Sequence, residues 1–383
     1  MKFFACCRCR MSLSGSNKMR RTLRSGFTTG ACAAAAAKGA ALMLREQRRR
    51  DQAELTLPTG CKATFVLNGQ HFDDERGACF VIKDAGDDPD VTHGVAIHAQ
   101  VSLVQSEGDI LIDGGTGIGR VTKPGLAVPV GEWAINPVPR RMIREAVLEV
   151  FPSLPARLIP RVTLSIPDGE QRAAKTLNAR LGILGGLSIL GTTGVVRPIS
   201  HQAWTDTLEV ALDVARAADC ARVVLSTGRT SEQAAQAALN GREEAYIMMG
   251  DFTAYTLDAC HRKGFAGVIL SAQFAKLVKI ACGEDHTHVR NARLDLAQLA
   301  DWARTLGLDG TLIKKIEFAN TAREVFVELG ANHPLVDAVA RRALSWISRR
   351  IPGADPGLLL VGYDGREARR FGSTWLFAEG TVP

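Results

Sequence analysis

Lys276, Lys279, His286, Thr287 and His288 fall within 13 residues, with Glu284 and Asp285 beside the histidines. Ammonium groups and imidazoles, the latter titrating near neutrality, suit a cationic lip over a poly-acid ligand. Histidines at i and i+2 next to carboxylates also suit zinc, but no cysteine or histidine follows at ligand spacing. A solvated charge patch is the third reading. Between Asp84 and Gly94, three acids (Asp87, Asp88 and Asp90) and His93 fall within seven residues. Carboxylate oxygens suit Mg²⁺ or Ca²⁺, but the spacing is not that of a calcium loop and Pro89 imposes a rigid turn. A polar active-site loop fits the segment, and so does simple capping by Asp90 or Thr92.

Glycine-rich connections are the other candidates. Gly114-Gly115-Thr116-Gly117-Ile118-Gly119 hints at a dinucleotide loop, yet that fingerprint needs a helix opening straight after it. Arg120, Lys123, Pro124 and Gly125 follow instead. They suit a flexible loop carrying Arg120 and Lys123 to an anion, or a plain turn. Thr227-Gly228-Arg229-Thr230-Ser231-Glu232 and Gly250-Asp251 each close an apolar run. At such strand ends helix N-termini bind anions and an acid can bond ribose hydroxyls. Glu232 and Asp251 are the acids in reach, although Ser231 and Glu232 also suit a mere helix start.

The elements that must position these groups divide into two rhythms. Thr28-Thr29-Gly30 precedes an alanine-rich helix over Ala31–Arg45, closed by Arg48-Arg49-Arg50, an N-cap and a cationic C-terminus. Strands are predicted at Leu55–Leu57, Ala63–Leu67, Ala78–Lys83, Val95–Val104, Asp109–Asp113 and Val162–Ile166, with helices over 136–150 and Gln171–Arg180. Residues 22–198 therefore read as an α+β domain with a mixed or largely antiparallel sheet. From 199 to 383, three strand–loop–helix units follow in succession, at Ala221–Ser226, Ala245–Met249 and Ala266–Ser271, the pattern of a parallel doubly wound sheet. Helices at Leu294–Leu306 and Ala319–Leu329 come next. A hairpin about Asp364-Gly365 closes the chain.

Composition bounds the function. The 383 residues are 46% hydrophobic and 23% charged, ordinary for a globular protein. The formal charge is +7, but residues 1–24 carry seven cations and no acid, so the remainder is neutral. The basic pI is thus no sign of nucleic-acid binding. Residues 1–21 read as a disordered tail. Nine cysteines without paired spacing suit free thiols in the cytoplasm better than a disulfide framework. No apolar run is long enough to span a bilayer. The chain suits a small-molecule ligand, and a homo-oligomer is compatible with it.

Longer motifs carry a resemblance. Leu23-Arg24-Ser25-Gly26-Phe27-Thr28-Thr29-Gly30-Ala31-Cys32-Ala33 is similar to the opening of the cobalt-precorrin-5B C1-methyltransferases, the CbiD family. Asp84–Gly94, Gly117–Pro124, the run from Gly131-Glu132-Trp133 to Met142-Ile143, and Gly191-Thr192-Thr193-Gly194-Val195-Val196-Arg197-Pro198 resemble it too. Lys276-Leu277-Val278-Lys279 and Thr287-His288 match in the second half. Departures are Gly250-Asp251-Phe252-Thr253-Ala254, where the family tends to Gly-Asn-Phe-Ile-Gly, and Ala275 in place of Gly.

The resemblance implies S-adenosylmethionine as methyl donor, a cobalt-bound corrin precursor as acceptor, and an α+β domain joined to a Rossmann-like one. The anaerobic cobalamin pathway is the implied setting. Chemistry then distributes roles. Asp87, His93 and His288 are candidates for handling the proton, or equivalent charge, that the macrocycle must lose when C1 is alkylated. Gly228, Ser231, Glu232, Gly250 and Asp251 are expected at the donor. Arg120, Lys123, Arg140, Arg141, Arg197, Lys276 and Lys279 suit the substrate's carboxylates. Thr28, Thr29, Gly30, Asp88, Thr192, Thr193 and His286 are expected around the same substrate. Cobalt arrives inside the acceptor, so no protein metal site is expected. A non-catalytic corrinoid-precursor binding protein is the alternative from a different class.

Overall fold

The Thr28 hydroxyl accepts the amide of Ala31 at 3.2 Å and so caps α1 (Thr29–Glu46). The computed structural model describes residues 23–198, 200–288 and 295–372; the basic tail and Leu294 lie outside them. Around α1 the first half builds β1 (Gly26–Phe27), β2 (Gln52–Thr56), β3 (Lys62–Val66), β4 (Asn68–Phe72), β5 (Arg76–Ile82) and β6 (Ala96–Gln105). Then come β7 (Leu111–Gly114), β8 (Gly117–Ile118), β9 (Arg120–Val121), α2 (Pro137–Val150), β10 (Leu158–Ser165) and α3 (Gly169–Ala173). The short strands β11 (Ile183–Leu184), β12 (Gly186–Leu187) and β13 (Val195–Val196) complete it.

Five of these strands form one sheet in the order β4-β5-β6-β10-β7. Only β10–β7 is parallel among its pairs, so the predicted mixed sheet is present. Alanine explains how α1 docks on it. Its methyls let the helix axis come so near that a Cβ on Gly77 of β5 would collide with the Ala40 carbonyl. The hairpin β2–β3 turns at Pro58-Thr59-Gly60, as its sequence predicts. The helix expected over Gln171–Arg180 is formed only to Ala173, as the end of α3. The Thr176 hydroxyl donates to Ala173 O at 2.7 Å and accepts from Asn178 N, and these local bonds compete with helix continuation.

The second half opens with α4 (His201–Ala217), which the sequence reading did not separate from the boundary near His201. Three strand–helix units follow as expected: β14 (Arg222–Ser226) and α5 (Arg229–Ala238), β15 (Tyr246–Met248) and α6 (Thr253–Arg262), β16 (Gly267–Gln273) and α7 (Phe274–Ala281). Next come α8 (Leu296–Thr305), α9 (Gly310–Phe318), α10 (Ala322–Leu329) and α11 (Pro334–Arg350). The hairpin β17 (Asp355–Val361) and β18 (Glu367–Gly372) ends the described chain.

Strand order is β15-β14-β16-β17-β18, parallel except for β18. Val224, Ile269, Leu359 and Val361 pack with Ala234 and Ala235 of α5. Val223, Leu225, Val268, Leu270 and Leu358 face α4, α6, α7 and α11 instead. Neighbours β14 and β16 therefore send the chain to opposite faces, which leaves a crevice at their carboxyl ends. The whole is a mixed α/β structure with several sheets. Among the described residues no helix is long and apolar enough to cross a membrane.

Candidate functional site

Two clusters gather the predicted residues. The first lies at the N-terminus of α1. Pairing of Gly26 and Phe27 with Val196 and Val195 brings Thr28-Thr29-Gly30 against Gly191–Gly194. The Thr29 hydroxyl accepts Leu190 N at 2.8 Å and shares its own proton between the carbonyls of Leu190 (3.2 Å) and Ser188 (3.3 Å). Gly30 N reaches Leu190 O at 3.0 Å. Both threonine hydroxyls thus serve the backbone. Thr192, Thr193 and Arg197 are exposed beside them.

The Asp84–Gly94 loop is stapled to the same place. Arg24 forms a two-pronged ion pair with Asp84, and Asp87 accepts Arg24 N at 2.7 Å. Lys83 is only 1% exposed and pairs with Asp90 at 2.5 Å. Burial works to raise the Asp90 carboxyl, but Lys83 and Thr92 overcome it and hold it below its ordinary value. His93 Nδ1 accepts the amide of Ala85 at 3.1 Å. A neutral imidazole has one basic nitrogen, and here that nitrogen is committed to the backbone. Asp88 lies half-buried in this loop. No group of three or more metal-ligating side chains is found among the described residues.

The second cluster lies beyond the carboxyl ends of β14, β15 and β16. Thr287 N donates to Asp251 O at 3.1 Å, and the Thr287 hydroxyl donates to Asp251 Oδ1 at 2.7 Å. Lys276 pairs with the same carboxylate. Lys276 and Lys279 also donate to the Thr287 carbonyl at 3.1 and 2.9 Å. Burial raises the Asp251 carboxyl, yet the bonds from Lys276 and Thr287 outweigh it and keep it low. Burial, and then the charge of Lys276, lower the Lys279 ammonium. Burial likewise holds the His286 imidazole below its usual value, against the pull of Asp251. His286 meets Phe252 edge-on at 4.7 Å, stacks on His201 at 5.8 Å and lies 6.4 Å from His288.

Gly228 and Ser231 sit at the start of α5, where the Ser231 hydroxyl accepts Gly228 N at 3.1 Å. Gly250 has φ +61° and turns the chain out of β15. Glu232 is buried and pairs with Arg180 at 2.9 Å; Arg180 also donates to Tyr246 O at 2.6 Å.

The remaining predicted cations are mostly engaged. Lys123 pairs with Glu244 at 2.6 Å and Glu243 at 3.4 Å, so it ties the first half to the second. Arg120 lies 3.8 Å over the Trp133 ring and donates to Gly131 O. Arg140 donates to the carbonyls of Ile135 and Ile112. Arg141 is exposed, near Glu145 at 4.0 Å. Gly117–Ile118 forms a strand followed by another, not a helix, so the nicotinamide fingerprint is absent there.

Sequence reasoning missed His201, Trp204 and Phe252, whose rings border the second cluster. Trp204 stacks on Phe252 at 6.1 Å and 17°. The only sequence signal was the aromatic residue next to Asp251.

Comparison with known proteins places the chain by its sequence. A family model described as CbiD matches residues 16–198, and one for the CbiD C-terminal domain matches 286–370. The chain is 54% identical over 376 residues to a cobalt-precorrin-5B C(1)-methyltransferase of Pelobacter propionicus, covering 90% of this chain and 95% of that one. It is also 54% identical over 359 residues to the enzyme of that name from Geobacter metallireducens, at 90% and 97% coverage. A crystal structure of the cobalamin biosynthesis protein CbiD from Archaeoglobus fulgidus is 25% identical, with a TM-score of 0.37 over 75% of this chain and 85% of that one.

Proposed function

The chain belongs to the CbiD family, and from that premise we propose that it methylates C1 of cobalt-precorrin-5B with S-adenosylmethionine, giving cobalt-precorrin-6A in a cytoplasmic step. The identity to relatives of that activity over nine-tenths of the chain carries the reading. Residues 22–198 are assigned to the acceptor and 199–383, as a Rossmann-like unit, to the donor.

The carboxyl edge of the parallel sheet fits the donor. Gly228 has an extended backbone that any residue adopts, and a Cβ there would meet no atom within 4 Å. Neither φ nor packing demands glycine, so the open space suits a ligand approaching the backbone at the switch point. Asp251 stands at the end of the next strand, where an acid bonds ribose hydroxyls in nucleotide-binding sheets. Lys276 and Thr287 both act on its Oδ1.

The donor, when bound, supplies an already electrophilic methyl group. The protein then has to align it with C1, exclude water and take up a proton. Alignment alone contributes up to roughly 10 kcal/mol in favourable cases. His288 is the proton acceptor we assign, because it lies 6.4 Å from His286 in the cluster beyond the carboxyl ends of the parallel strands, where the donor is placed. Arg197, exposed beside the α1 N-terminus, and Arg141 are the cations best placed to meet the acceptor's carboxylates.

An anaerobic assay with cobalt-precorrin-5B and S-adenosylmethionine tests the proposal. The product should gain one methyl, at C1 by carbon-13 labelling. Tight binding of the macrocycle without turnover would replace it with the carrier reading.

A further inference from the structure

Trp204 is a large aromatic left 43% exposed, yet it is held rigidly. Its Nε1–H donates to Met249 O at 3.2 Å. Its ring stacks on Phe252 at 6.1 Å, and its benzo edge lies so near Gly250 that a Cβ there would stand 3.1 Å from it. A surface indole fixed by a hydrogen bond, a stack and a glycine has lost its rotamer freedom before any ligand arrives. Such pre-ordering is what makes exposed Trp an effective anchor for a flat partner.

Its place in the fold selects that partner. Met249 and Gly250 lead out of β15 to Asp251, so the indole packs on the turn that carries Asp251. If Asp251 takes the ribose hydroxyls, the base attached to that ribose must lie within a ring's width of the same turn. We propose that Trp204 is a donor-positioning residue whose indole stacks on the adenine of the methyl donor. This rests on the placement of the donor under Proposed function. The glycine at 250 has two duties in this arrangement: its φ of +61° makes the turn, and its missing side chain admits the indole.

Titration with 5′-methylthioadenosine, which carries adenine and ribose without the amino acid, tests the assignment directly. Trp204→Ala should weaken its binding by about tenfold, and Trp204→Phe should restore most of the loss. In turnover, the donor KM should rise by a similar factor while kcat and the macrocycle KM stay within twofold. Fluorescence supplies a readout that a merely structural role would not move. Quenching on nucleoside binding should vanish in Trp204→Phe while the other tryptophans remain. Unchanged methylthioadenosine affinity in folded Trp204→Ala protein overturns the assignment, and so does a rise confined to the macrocycle KM. Failure of the wild type to bind S-adenosylhomocysteine, even with the macrocycle present, would instead refute the underlying donor placement.

Discussion

Thr287 gives both its backbone amide and its hydroxyl to Asp251, at 3.1 and 2.7 Å, while its carbonyl receives Lys276 and Lys279. Every polar group of this fully buried threonine is therefore used. Lys276 and Lys279, with Asp251, form a clasp that holds the His286–His288 segment, whose His286 ring meets Phe252.

Removing the acid should loosen that clasp. Asp251→Ala leaves two ammonium groups facing each other and should cost about 2 kcal/mol, below the usual range for fully buried pairs because the partners are part-exposed. Asp251→Asn still accepts from Thr287 and should cost about half as much. Urea unfolding of both variants checks the order; equal losses would refute it.

Two groups in this cluster make stability depend on pH. His286 titrates lower folded than unfolded. Its contribution is complete above the unfolded value, about 6.5, and falls as the pH drops through it. Asp251 is also lowered, so its contribution is present above about 3.9 and is lost as pH falls through the folded value. Melting temperatures should decline in two acid steps. His286→Gln should flatten the first and Asp251→Asn the second.

Gly228→Ala separates ligand space from fold. With no atom near the new methyl, the loss of stability should stay under about 1 kcal/mol, the scale of an N-cap exchange. Affinity for S-adenosylhomocysteine, by calorimetry, should fall by tenfold or more. An unaltered affinity would remove the donor from this turn.

His93 and His288 should part company. His93→Ala removes the acceptor for Ala85 N, an effect on stability of about 1 kcal/mol, with single-turnover rates reduced less than tenfold. His288→Ala should slow the same rates tenfold or more. The reverse ranking would return the proton to the first cluster.

Lys83→Met should be the most damaging of these single changes to stability. It strands the Asp90 carboxylate beside a buried aliphatic chain, at about 3 kcal/mol. Lys83→Met combined with Asp90→Leu should recover part of the loss, as measured in the same urea series.

Legibility in the sequence followed the range of the forces involved. α1, the β2–β3 turn and the three strand–helix units were readable because caps, glycine turns and β-branched runs act within a few residues. α3 was overextended because Thr176 and Asn178 look helix-compatible until their side chains are seen to bond the backbone. α4, α9 and α11 are not marked out by the local signals that set the other elements. Among site residues, the meeting of Thr28–Gly30 with Gly191–Gly194 depends on contacts 161 residues apart, and the clasp on Thr287 needs Asp251, 36 residues away, as well as the lysines 8 and 11 residues before it. No local pattern announces them. The same holds for Lys123, whose partners Glu243 and Glu244 lie in the other half.

The alanine helix has a consequence for synthesis. Alanine is the strongest helix former and gives up no side-chain rotamers on ordering, so α1 can wind as soon as it leaves the ribosome. Its covering strands β5 and β6 end only at Gln105, which is roughly 3–12 s later at ordinary elongation rates. For that interval the nascent chain displays a finished helix with no sheet beneath it. Methyl groups present little to stick to, and a helix of leucines in the same position would be a chaperone client.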